Sequence, residues 1–358
     1  MYKCQNLYIL SRSFLNWMLE RSRLEAITDL IRERISISGV DEYCSETNIC
    51  KDDFVKIEPR DFDGEIYAID GSNVVICDWS VSSLNQIRVG YVVYKGRNWQ
   101  RAVVTYDDLF LADKDTYADQ FDKYTKAFGL NKFTLEKTEL DRLSTYFREL
   151  QEYIALNDAV NESSPGDLIL FDGSFDVFEP LRSVLIKVLM AAKDKGVDLL
   201  AISKSSSLSW GGDLSKPFVP HTSYVGSILA PGVPWYLCLK GKKIKPKPES
   251  WDGGKIFITR FHAGSDHAFR LDAPSYLMDH IAIALGNLAP HSCSAECPGY
   301  PHALFRAHRD LRITDQEGQF LKLKLLDILG DRGMNEGELR RSLLDYHDVI
   351  EMRPRRVL

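Results

Sequence analysis

"LILFDGSF", residues 168–175, is an apolar run that ends in Asp-Gly-Ser. It stands between the turn chemistry of "NESSPGD" (161–167) and the helical pattern of "EPLRSVLIKVLMAAKDKG" (179–196), after which a second apolar run, "VDLLAISKSS" (197–206), begins. Two buried strands joined by one helical crossover are parallel near neighbours in a sheet. Asp172 and Lys204 then sit at the ends of adjacent strands.

The same phrase occurs about a hundred residues earlier, in "IYAIDGS" (66–72), where Asp70 closes the apolar run. Beyond it, residues 73–96 and "WQRAVVTYDDLFLA" (99–112) are rich in Val, Ile, Tyr and Trp and lack a helical period, which predicts consecutive antiparallel strands. "TLEKTELDRLSTYFRELQEYIALNDAV" (134–160) switches to helical spacing, and "KIFITRFHAGSDHAFRLDAP" (255–274) reads as a hairpin before further helices. The fold class expected is α/β, with a mixed sheet flanked by helices.

An Asp at the end of a buried strand puts a carboxylate at the rim of the sheet, and the following Gly lets backbone or ligand come close. Two such carboxylates in one cleft repel each other unless a cation sits between them, and hard Mg²⁺ or Mn²⁺ ions are the usual partners. Glu149 and Glu152, three apart on the intervening helix, share roughly one face, and either completes an Asp, Glu, Asp set. Such a set serves two-metal phosphoryl transfer, with ions roughly 3.5–4 Å apart. Lys204 emerges from an apolar strand and calls for an anionic partner. His308, among Leu304, Ala307 and Leu311, reads by itself as a packed helix residue.

The chain has 358 residues, 44% of them hydrophobic, enough for one large or two ordinary domains. Its net charge of −6 excludes a uniformly basic coat but leaves room for a local basic groove. Lys240, Lys242 and Lys243, in "LKGKKIKPKPE" (239–249), and Arg260 and Arg270 on the hairpin are candidate DNA contacts. Lys245, Lys247 and the tail residues Arg353, Arg355 and Arg356 add basic charge, for which a solvated loop is the competing reading.

Seven cysteines spread over a long chain do not form a secreted disulfide framework, and no signal segment or membrane span is read, so a reduced cytoplasmic protein is expected. His291, Cys293, Cys297 and His302 suggest zinc, but a single C-x₃-C pair with no second pair favours free thiols. Motifs for a P-loop ATPase, a Rossmann dinucleotide enzyme and an α/β-hydrolase are missing. An amphipathic helix is expected over 11–37, capped by Ser11 or Ser13, either packing on the domain or making a dimer contact.

Taken in order, "IYAIDGS", a helix carrying Glu, "DLILFDGSF", "LLAISKSS", "AFRLDAP" and "GYPHALFRAHRDLRI" resemble the NurA family of DNA-end nucleases, over about residues 64 to 315. The resemblance implies a ribonuclease H-like core that binds Mn²⁺ or Mg²⁺ and cuts DNA. It also implies a homodimer working beside a HerA-type hexameric ATPase in double-strand-break resection. By position, Asp70 and Asp172 match the metal-binding Asp residues, Lys204 the strand-end Lys, and His308 the late His; for the Glu, Glu152 is preferred and Glu149 kept. The expected division is a helical segment 1–60, a nuclease domain 61–330 and an extension 331–358. Two rivals are an actin- or sugar-kinase-type phosphotransferase, which lacks its Gly-rich adenosine loop here, and a non-catalytic DNA-end adaptor for a motor.

Overall fold

The computed structural model describes residues 21, 23–33, 35–36, 39–79, 82–130, 133–135, 142–177, 179–212, 215–245 and 253–334. Ser11 and Ser13, Lys247 and the arginines of the tail lie outside them; residues 23–33 are helical, as the amphipathic spacing predicts.

Among the described residues one mixed sheet has nine strands. These are β1 (Val55–Lys56), β2 (Glu65–Asp78), β3 (Ser82–Lys95), β4 (Asn98–Asp113), β5 (Leu168–Asp172), β6 (Asp198–Ser203), β9 (Trp235–Cys238), β10 (Gly254–Arg260) and β11 (Phe269–Pro274). A separate small hairpin joins β7 (Ser209–Trp210) and β8 (Lys216–Pro217). The large sheet runs β1-β9-β10-β11-β6-β5-β2-β3-β4. Its centre is an antiparallel meander of β2, β3 and β4, with β5 and β6 added in parallel on the other side of β2. This is the ribonuclease H-like arrangement, and it comes from the two signals read in the sequence: strand-forming residues without a helical period, then strand, helix, strand.

Alternation along the central strands assigns side chains to two cores. Tyr67 and Ile69, Ile169 and Phe171, and Leu199 and Ala201 enter one core. It is covered by helices α1 (Val40–Thr47), α2 (Tyr117–Thr125), α3 (Leu143–Glu162), α4 (Glu179–Lys195) and α5 (Phe218–Leu229). Ile66 and Ala68, Leu168 and Leu170, and Leu200 and Ile202 enter the other, beneath α6 (Ile281–Leu288) and α7 (His302–Leu311). Asp70, Asp172 and Lys204 continue the second series, so period 2 sends all three to the face that carries α7.

The run from His302 onward does not continue as one helix. Arg312 to Thr314 break it, and α8 (Asp315–Asp331) restarts with a reciprocal cap between Thr314 and Glu317. In the break, the Ile313 N–H donates to Ser72 Oγ at 3.1 Å, and Arg88 on β3 pairs with both Asp107 and Glu317. These ties fix the carboxyl end of α7 over β2, which places His308 above Asp70.

Candidate metal centre

The two Asp-Gly-Ser phrases are held differently. In the first, Asp70 Oδ1 accepts the Gly71 N–H at 2.8 Å, and Asp70 Oδ2 faces His308 Nδ1 at 2.9 Å. In the second, the Gly173 N–H donates to the Ile202 carbonyl and Ser203 Oγ donates to the Gly173 carbonyl, closing the ladder with β6. Asp172 Oδ2 receives Lys204 Nζ at 2.5 Å, while Oδ1 accepts the Tyr300 hydroxyl at 3.1 Å. Lys204 also lies over the Tyr300 ring.

One ligand atom each from Asp70, Asp172 and His308 falls within 4.8 Å of the others, the one such group of three found among the described residues. Two carboxylates and an imidazole on rigid strands and a helix form a donor set suited to a divalent cation. The electrostatics agree: burial, then repulsion from Asp172, raise the Asp70 carboxyl above its ordinary value, against the pull of Lys204, Gly71 and His308. A positive charge at the cluster would relieve that strain.

Glu152 lies across the sheet from these groups. It projects from α3, 3% exposed, toward Gly71, whose missing side chain leaves room for it: a Cβ there would stand 2.5 Å from Glu152 Oε1. Arg148, one helical turn earlier, donates to Glu152 Oε1 at 2.8 Å and to the Gly71 carbonyl at 3.2 Å. Glu149 instead accepts the Tyr153 hydroxyl at 2.6 Å.

Burial pushes the Glu152 carboxyl up to about 8; Arg148 opposes this, while Asp70, Glu149 and Asp172 add to it. Its ordinary value is 4.5, so between there and about 8 the folded protein holds a proton that the unfolded chain releases. Without metal, stability is therefore highest below that window and falls as pH rises through it. Denaturant titrations in chelator should lose on the order of a few kcal/mol between pH 5 and 8, and Glu152→Gln should flatten that slope. An unchanged slope in the variant would assign the proton elsewhere.

Arg260 and Arg270, read as DNA contacts, are each 7% exposed and used internally. Arg260 donates to the carbonyls of Ser265 and Ala263. Arg270 pairs through two nitrogens with fully buried Asp272, at 2.8 and 2.9 Å, and Asp272 Oδ2 accepts the Phe175 N–H at 2.9 Å. This pair pins the loop just beyond Asp172. Asp272→Ala should cost about 3–5 kcal/mol in urea denaturation, because it strands a buried guanidinium; a loss below about 1 kcal/mol would show the pair to be dispensable.

Lys242 is taken up by Asp53 at 2.6 Å and the Asn48 carbonyl, whereas Lys240 and Lys243 are exposed. The zinc reading gathers no ligand set among the described residues: Cys293 Sγ faces the Ala289 carbonyl and Cys297 Sγ the Tyr300 carbonyl. Sequence reasoning missed Tyr300 and Arg148. Tyr300 lay inside the quoted "GYPH", and Arg148 was signalled only by its position one turn before Glu152.

The sequence profile of the NurA domain matches residues 64–313. Among solved structures, the NurA nuclease from Sulfolobus solfataricus is similar at 14% identity and a TM-score of 0.52, over 91% of this chain and 99% of that one. A second NurA structure gives 12% identity and 0.46, over 87% and 97%. The catalytic domain of human endonuclease V gives 13% and 0.34, over 80% and 94%. The first of these supports the fold. No curated protein matches the sequence.

Proposed function

The chain belongs to the NurA domain family, and from that premise we propose that it is a Mn²⁺- or Mg²⁺-dependent deoxyribonuclease that hydrolyses phosphodiester bonds at DNA ends. The observation that carries the reading is the convergence of Asp70, Asp172 and His308 within 4.8 Å; Asp172 ends β5 as the sequence predicts, whereas Asp70 lies within β2, which runs on to Asp78, and His308 comes from α7. Divalent ions held by Asp70, Asp172 and His308 would polarise the scissile phosphate and acidify an attacking water, with Glu152, which approaches Gly71 from the other face of the sheet, as the further acid of a two-metal site.

The chain's own groups prepare that chemistry. Lys204 offsets the charge of Asp172 and, 42% exposed at the side chain, presents its remaining N–H donors to an incoming phosphate. Tyr300 holds Asp172 from the opposite side, so the carboxylate cannot swing away from the cluster. His308 holds Asp70 in the same way while more than half of its own side chain stays exposed. Arg148 steadies Glu152 and the backbone of Gly71 together.

The reading includes a homodimer, single- and double-stranded ends as substrates, and partnership with a HerA-type hexameric ATPase in end resection; family membership supports these steps. No described helix is long and apolar enough to cross a membrane. The decisive assay incubates the full chain with end-labelled single- and double-stranded DNA in Mn²⁺, Mg²⁺ or chelator. Shortening that needs metal is the expected result. Metal-indifferent DNA binding without shortening, with the ATPase present, would replace the nuclease by the adaptor.

A further inference from the structure

At the opposite end of α7 from His308, a cavity of about 180 Å³ lies between the helix start, the beginning of β2 and the β3–β4 turn. Ile66, Tyr94, Arg97, His291, Ser294 and His302 line it. Its walls are largely apolar and aromatic, with Tyr94 and His302 packed edge to face at 5.7 Å. His302 Nδ1 is buried and has no hydrogen-bond partner among the described residues. Burial and the nearby Arg97 hold the His291 imidazole below its ordinary value, so its neutral ring carries both a donor and an acceptor.

The cavity and the metal centre lie near the two ends of α7. His302, Phe305 and His308 are spaced three apart along α7, and the His302 and Phe305 rings lie 6.0 Å apart. Six helical residues span about 9 Å, which matches two or three nucleotides at a stacked spacing of roughly 3.4 Å. Beside this ring series, Arg306 lies over the exposed ring of Trp99, the mixture of cation and aromatic surface that single strands follow.

We propose that the cavity is a base-binding subsite that receives one unpaired nucleobase of the strand whose phosphodiester lies at Asp70, Asp172 and His308, two or three nucleotides away. The proposal rests on the nuclease reading above. The base stacks against Tyr94 and His302, and its edge meets His291 and Arg97. Apolar walls favour a base over bare phosphate. A nucleobase also arrives with a free mononucleotide, so the test separates the two sources.

In the Asp70→Asn background, which blocks cleavage, single-stranded oligonucleotides carry 2-aminopurine at successive positions from one end. One position should change fluorescence on binding, and Ser294→Trp, which fills the cavity from a surface loop, should remove that change, as should Arg97→Ala on the exposed turn. Unmodified wild-type protein should cut an oligonucleotide lacking the base at that position more slowly, on the order of tenfold, and Ser294→Trp should make the rate indifferent to where the base is missing. A fluorescence change at every position alike, or one that free deoxynucleoside monophosphate abolishes without any positional dependence, overturns the strand subsite. If wild-type cuts nothing under any metal, the fluorescence arm still decides: a position-specific signal lost in Ser294→Trp keeps the base site, and its absence removes it. Unfolding temperatures of both variants identify a loss caused by misfolding, and Arg97→Ala then carries the decision.

Discussion

Asp70→Asn should lower metal-dependent DNA cleavage on the order of a thousandfold or more while leaving the protein folded. Asn keeps the shape and still accepts the Gly71 N–H, but it removes the charge that a divalent cation needs from the strand between β3 and β5. Asp172→Asn should do the same from the neighbouring strand, and it also leaves Lys204 without its anion. The fold is not expected to suffer from the Asp70 change. Its carboxyl is raised by burial and by Asp172, so in metal-free protein the charge opposes the native state. Unfolding temperature in chelator should therefore stay level or rise, and the upward shift that Mn²⁺ gives the wild type should disappear. Cleavage by Asp70→Asn at the wild-type rate would move the site elsewhere; lost cleavage accompanied by lost folding would make Asp70 a structural residue, and Asp172→Asn would then decide the site.

The central sheet was legible because both of its signals are local. Stretches rich in Val, Ile, Tyr and Trp without a helical period gave the meander, and an apolar run, a helix and an apolar run gave parallel β5 and β6. That Asp70, Asp172 and Lys204 share one face comes from the strand alternation and the two cores of the folded structure. His308 was legible only through the resemblance: its spacing among Leu304, Ala307 and Leu311 reads as core, and what brings it to Asp70 is the non-local tie between Ile313 and Ser72.

The arginines fell the other way. Arg270 looked like a cation for phosphate, because nothing in "AFRLDAP" reveals that Asp272, two residues on and on the same face of the strand, takes two of its three nitrogens. Nor does the sequence show β1, two residues paired with Tyr236 and Trp235 far along the chain, or Tyr43 of α1 reaching Thr222. Contacts of that sequence separation leave no periodic trace.

Gly71→Ala should cost cleavage on the order of a hundredfold, and it is the change that most directly tests why Gly follows Asp in the first motif. Strand alternation puts position 71 on the face opposite Asp70, toward α3, where a Cβ would meet Glu152 Oε1 at 2.5 Å and Val89 Cγ2 at 3.0 Å. The Glu152 carboxylate cannot simply step back, since Arg148 holds it and the Gly71 carbonyl together. The methyl group therefore displaces the carboxylate that the proposed site draws on from this side of the sheet, while Asp70, Asp172 and His308 stay in place. Shortening the acid should answer shortening the space: Glu152→Asp alone is expected to slow cleavage, and combined with Gly71→Ala to cost less than the two effects multiplied. Independent, multiplicative losses would mean that the two residues do not act through one another. A Gly71→Ala variant that cuts at the wild-type rate would show that Glu152 is not needed where it stands, and Glu149 would become the acid to test next.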